Sequence, residues 1–310
     1  MGKSYYPAEF LEFGDGGVTH LVMGGLSVED DGTVTPCTWG NDTNTKRAHQ
    51  YARGNGTKVQ LMLTMNEAWM TNQTMRVNFM DSLKAALDAC DAQGFEVDWE
   101  GPGTQEVSDN FLRWLIDARK KLGSSKYALS FDTEPPQWIP GDYFKPNASI
   151  FREYDDFEKE NTHTGGNYNE RRAEIFINFM TYFATGDGDS YLGPYKTAIE
   201  TVLTTPIVQY PKSTVNIAIP YYEQSQGQNQ WAIICSTCKD LPPNNNTCGW
   251  RGPDIVGKKA NYDIGRLIKE NGLGGVFPWS LDYDVAPSDT KTCGDNSLFK
   301  WLSKALKEPV

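Results

Sequence analysis

Short apolar runs alternate with helix-period segments along almost the whole chain. Tyr5-Tyr6 reads as the close of a truncated first strand and Val18 to Leu26 as a second. Lys58 to Thr64 makes a third, and the stretch from Gly94 to Glu100 a fourth. Tyr127 to Phe131, Ile175 to Tyr182, Val215 to Pro220 and Gly275 to Trp279 supply four more. Between them, apolar residues recur at helical spacing. Phe79, Leu83, Ala86, Leu87 and Cys90 form one such face, and Val107, Phe111, Trp114, Leu115, Ala118 and Leu122 form another. A further helix is expected from about Asp254 to Asn271, stopping at Gly272. Strand–helix units repeated through 310 residues predict an α/β chain folded as a (β/α)8 TIM barrel. A doubly wound open sheet would alternate too, but no Gly-rich phosphate turn follows the first strand. The expected organisation is one barrel domain over residues 1–310. Residues 222–253 would form a short Cys-containing insertion after the seventh strand, too short to bury a core of its own.

The fourth strand carries the candidate chemistry. Side chains alternate along a strand, so Glu96, Asp98 and Glu100 share one face while Phe95, Val97 and Trp99 take the other. Three carboxyls in a row repel one another and lose solvation if buried. One reading is an exposed edge strand kept soluble by its charge. The other is an active site, in which a carboxyl cluster splits its proton affinities and one member stays protonated near neutral pH.

Composition narrows the setting. A net charge of −11 argues against nucleic acid and anionic membranes as partners. No apolar run reaches the roughly 18 residues a membrane helix needs. Acceptor triplets for N-glycosylation stand at Asn41, Asn55, Asn72, Asn147 and Asn245. With six Cys, they favour an extracellular chain whose leader is not part of this sequence. Cys235, Cys238, Cys248 and Cys293 fit either a four-thiolate zinc site or two disulfides pinning the insertion, and the acceptor sites favour disulfides. Cys90 falls on an apolar helix face and reads as a buried thiol unless Cys37 reaches it. His20, His49 and His163 have no ligand spacing. Asp187-Gly188-Asp189 lacks the other ligands of a calcium loop, so no metal or cofactor is expected.

The carboxyl strand resembles the strand-four signature of family 18 glycoside hydrolases, the chitinases and chitinase-like proteins, whose usual form is D-G-x-D-x-D-x-E. Phe179-Met180-Thr181-Tyr182 resembles the family's M-x-Y at the end of strand six, and Ile217 to Tyr222 its strand-seven run. Gly274 to Asp282 resembles the strand-eight G-G-x-x-x-W-S-x-D, and Val18-Thr19-His20-Leu21 the second strand. The likeness spans nearly the whole chain. It implies hydrolysis of β-1,4 links between N-acetylglucosamine units with retention, the substrate's acetamido oxygen acting as nucleophile in place of a protein carboxylate. Glu100 would be the general acid and then the base, and Asp98 would orient the acetamido group. Glu96 would support Asp98, and Tyr182 would donate to the acetamido oxygen.

Trp279 would floor the sugar site, with Met180 and Tyr221 as further substrate contacts. Trp69 and Trp138, beside Trp231 and Trp250, are candidate sugar platforms in loops, whereas Trp99 and Trp114 belong to the core. The chain departs from the pattern at Gln93, Glu96 and Phe183, where the family carries Asp. The partner expected is therefore chitin or a chitooligosaccharide, met by a secreted monomer. A weak or inactive chitin-binding protein and an endo-β-N-acetylglucosaminidase remain as alternatives on the same barrel.

Overall fold

The computed structural model describes residues 17–37, 43–99, 104–123, 127–133, 175–181, 192–204, 212, 215–222, 232, 235, 256–285 and 297–310. The strands are β1 (His20–Gly24), β4 (Lys58–Thr64), β5 (Gly94–Asp98), β6 (Ala128–Thr133), β7 (Ile175–Met180), β8 (Val215–Pro220) and β9 (Gly275–Trp279). They pair in parallel, each with the next, in that order. A two-stranded antiparallel ribbon, β2 (Ser27–Val28) and β3 (Val34–Thr35), follows β1. The helices are α1 (Thr43–Gly54), α2 (Ala68–Thr71), α3 (Gln73–Ala89), α4 (Gln105–Leu122), α5 (Leu192–Thr204), α6 (Lys258–Glu270) and α7 (Leu298–Lys307). This curled parallel sheet with its helices is the expected (β/α)8 barrel. The strand expected at Tyr5-Tyr6 and most of the 222–253 insertion lie outside the described residues.

The helix-facing sides of the strands build the core. Phe95 packs edge-on to Trp114 at 5.9 Å and lies 6.4 Å from Phe79, between α3 and α4. Trp99 stacks on Phe111 at 4.0 Å, and both Trp99 and Trp114 are buried as expected. Burying a ring of that size removes on the order of 150–250 Å² from water, which makes these contacts the main anchor of the two helices.

Local chemistry sets the ends of the elements. The Asn72 side chain caps α3 by accepting from Thr74 N and Met75 N at 3.0 and 3.2 Å. Thr104 caps α4 through Val107 N, and Gly123 ends that helix with φ +60. The fully buried Asp284 holds the start of α7: its oxygens accept from Leu298 N at 3.0 Å, Phe299 N at 2.9 Å and Ser297 Oγ at 2.9 Å. Burial pushes its carboxyl up to about 6, against the pull of these donors.

Cys37 and Cys90 form a disulfide with Cα atoms 5.8 Å apart. The buried free thiol is thus corrected: the turn after β3 carries Cys37 to the end of α3. Cys235 is also disulfide-bonded, while Cys238, Cys248 and Cys293 lie outside the described residues.

Candidate active site

The site begins at the turn that launches β5. Gly94 has φ +145, and a Cβ there would stand 1.7 Å from the carbonyl oxygen of Ala128, so only glycine fits. Gln93, where the family carries Asp, is buried below the site. Its Oε1 accepts from Val59 N at 3.0 Å and its Nε2 donates to Asp91 O at 2.7 Å, a donor role no carboxylate could fill.

From Gly94 the strand alternates as expected, with Phe95, Val97 and Trp99 in the core and Glu96 and Asp98 on the inner face. Glu96 has no exposed surface, and among the described residues no N–H or hydroxyl donor meets either of its oxygens. Burial first, then the charge and hydrogen bond of Asp132, then the charge of Asp98, push its carboxyl well above the usual carboxylate range. A buried setting without donors, beside two further carboxyls, favours the protonated form of Glu96. The exposed edge strand is excluded, since this strand lies mid-sheet with a buried acidic face.

Asp132 is the residue that sequence reasoning missed. The fifth strand was expected to stop at Phe131, but it runs on to Thr133 and brings Asp132 into register with Asp98. Ala128, Ser130 and Asp132 share one face by simple alternation, which is the signal that could have found it. Below this pair the inner face is polar and bonded. Gln60 Nε2 donates to Ser130 Oγ at 3.0 Å and to Phe95 O at 3.1 Å, and Asn216 Nδ2 donates to Asn178 Oδ1 at 2.9 Å.

Around the mouth, Met180 ends β7 and Trp279 ends β9, both half-buried and at C-terminal strand ends where barrel sites sit. The Trp279–Ser280 peptide is cis. Two expected contacts are corrected. Trp69 is buried and stacks on Phe79 at 5.9 Å, because α2 turns it back over α3; its face is taken by the core. Tyr221 is fully buried, sharing the helix-facing parity of Ile217 and Ile219. The neighbouring Tyr222 has the opposite parity, matching Pro220, and meets Tyr283 edge-on at 6.2 Å. Glu100, Tyr182, Phe183 and Trp138 lie outside the described residues.

A cavity of about 710 Å³ lies along the β1 and β9 side, lined by His20, Gln60, Phe176, Asn178, Asn216 and Trp279 among others. It does not include the three carboxyl residues, so the cluster and not this space defines the site. His20 stays neutral there, pushed down to about 4 by burial and by Lys58. Among the described residues no group of His, Cys, Asp and Glu is arranged to hold a metal ion.

A (β/α)8 barrel with a buried carboxyl cluster at the end of one strand defines a glycosidase-type scaffold. The chain matches the model of glycosyl hydrolases family 18 over residues 3–284, and it belongs to that family. Similar solved structures include catalytic domain 2 of the Ostrinia furnacalis Group II chitinase, with TM-score 0.68 and 15% identity over 99% of this chain and 92% of that one. The Rhizomucor miehei chitinase gives TM-score 0.59 and 17% identity over 98% and 96% of the two chains. Human YKL-39, described as a pseudo-chitinase with retained chitooligosaccharide binding, gives TM-score 0.61 and 15% identity over 98% and 94%. No curated protein sequence matches the chain.

Proposed function

We propose that this chain is a secreted hydrolase of β-1,4-linked N-acetylglucosamine polymers, acting by substrate-assisted retaining catalysis. The observation that carries the reading is the inner-face placement of Glu96 and Asp98 at the C-terminal end of β5. One step further along the same period, the sequence assigns Glu100 to that face as general acid and base. Asp98 then accepts from the acetamido N–H, and the acetamido oxygen attacks the anomeric carbon while Glu100 protonates the leaving oxygen. Tyr182 donates to the acetamido oxygen, and Trp279 supplies the apolar floor under the distorted sugar.

The test is Glu100→Gln, assayed with the tetramer of N-acetylglucosamine. Proton transfer is typically worth about 10²–10⁴-fold, so product formation should fall by at least that much. Oligosaccharide binding, which rests on aromatic stacking, should persist. Unchanged turnover would remove Glu100 from the mechanism. A second reading, binding of chitooligosaccharides without turnover, is favoured by one observation: Glu96 stands where the family carries Asp. The unmodified protein binding the tetramer without cutting it would decide for that reading.

A further inference from the structure

We propose that Asn72 is an N-glycosylation site that carries its sugar while the same side chain caps helix α3, the two tasks falling on different atoms of one amide. Asn72-Gln73-Thr74 is an acceptor triplet, and all three residues are exposed. Asn72 Oδ1 accepts from Thr74 N at 3.0 Å and Met75 N at 3.2 Å, which turns the oxygen toward the helix. Its Nδ2 donates to no other group among the described residues. The triplet at Asn55 differs. Its third residue, Thr57, is buried and donates its hydroxyl to Val18 O at 2.9 Å. Asn72 thus offers a whole triplet to solvent and an amide nitrogen that the cap does not use.

The surroundings hold this acceptor on a fixed base. β4 ends at Thr64, and the short α2 leads the chain to Asn72. Trp69 and Met70 of α2 are buried, Trp69 against Phe79, and Arg76 Nη1 donates to Met70 O at 3.1 Å. Because Asn72 follows the C-terminal end of β4, its sugar stands at the rim of the face where barrel sites sit. The donor class is an oligosaccharide on a polyprenyl diphosphate. Nδ2 bonds to C1 of the first N-acetylglucosamine, and the bond from C1 to the diphosphate oxygen breaks. The lipid diphosphate leaves with that electron pair, and the amide gives up one proton. Oδ1 keeps its lone pairs, so the cap survives the addition. A bulky, hydrated chain must stay in water after folding, a condition the exposed triplet meets.

The inference rests on the secretion named in the proposed function, and the test supplies secretion itself. The full chain is expressed behind a heterologous leader in a eukaryotic secretory host. Its N-glycans are released by an amidase in ¹⁸O water, which leaves a labelled Asp at every occupied position. Position 72 should carry the label in the unmodified protein and not in Thr74→Ala, which breaks the triplet but keeps the backbone N–H of the cap. These two secreted proteins should melt within about 1 °C of each other, whereas Asn72→Ala, losing sugar and cap together, should melt about 2–4 °C lower. An unlabelled position 72 in the secreted unmodified protein overturns the site. A glycosylated protein that melts as low as Asn72→Ala overturns the shared use of the amide. Failure of the unmodified protein to cut the tetramer overturns the hydrolase reading alone and leaves both of these results valid.

Discussion

One methylene separates Glu96 from the Asp that the family carries at its position, and the structure shows what that methylene reaches. The longer side chain lies fully buried, and burial together with the neighbouring Asp132 and Asp98 pushes its carboxyl well above the usual range. Its folded pKa lies above the unfolded value, so Glu96 contributes stability that is present at low pH. That contribution is lost as pH rises through the folded pKa, because only the native state then still binds the proton. Glu96→Gln keeps the shape without the titration. Thermal midpoints measured from about pH 5 to about pH 9 should fall with rising pH in the unmodified protein more than in Glu96→Gln. Parallel curves would mean that Glu96 is ionised in the fold.

Elements are held by contacts whose strength can be read separately. Helix α7 starts on Asp284, which takes up two of its backbone N–H groups and the Ser297 hydroxyl in a fully buried place. Asp284→Ala leaves those donors unsatisfied, at a cost of about 1–3 kcal/mol for each buried group. We expect a loss of at least about 3 kcal/mol in denaturant unfolding, the sum of the three orphaned donors at about 1 kcal/mol each. A change below about 0.5 kcal/mol would mean that water replaces the carboxylate. At the strands, a two-residue period decides function as much as packing. It puts Tyr222, and not Tyr221, on the parity of Pro220, and it puts Asp132 on the inner-face parity of Ser130. Both assignments were open to sequence reading, since counting from Ser130 or from Pro220 yields them. They were missed because the fifth strand was ended two residues early and the tyrosine pair was read as a motif.

Across the whole molecule, the disulfide from Cys37 to Cys90 closes a span of 53 residues that includes α1, β4 and α3. Chain entropy makes such a loop worth about 4 kcal/mol, more than any one surface ion pair on the barrel. The paired variant Cys37→Ser, Cys90→Ser should lose about that much by denaturant titration, and reductant should have no further effect at this bridge. A loss below about 1 kcal/mol would mean that the reduced chain already keeps the β3 ribbon docked against α3.

The barrel class, the strand order and the inner-face position of Glu96 and Asp98 were determined by the sequence alone. Those features follow from local periods of two and of 3.6 residues, which any reader of the chain can count. The core roles of Trp99 and Trp114 were legible for the same reason. What only the tertiary structure decided involves residues distant in sequence. Trp69 looked like a loop platform until α2 folded it onto Phe79, and Cys90 looked like a free thiol until the β3 ribbon brought Cys37 to it. The meeting of Glu96 with Asp132, 36 positions apart in the chain, depends on the register of two adjacent strands. No local pattern encodes that register; it is set by the packing of α4 across β5 and β6, where Phe111 meets both Trp99 and Phe131.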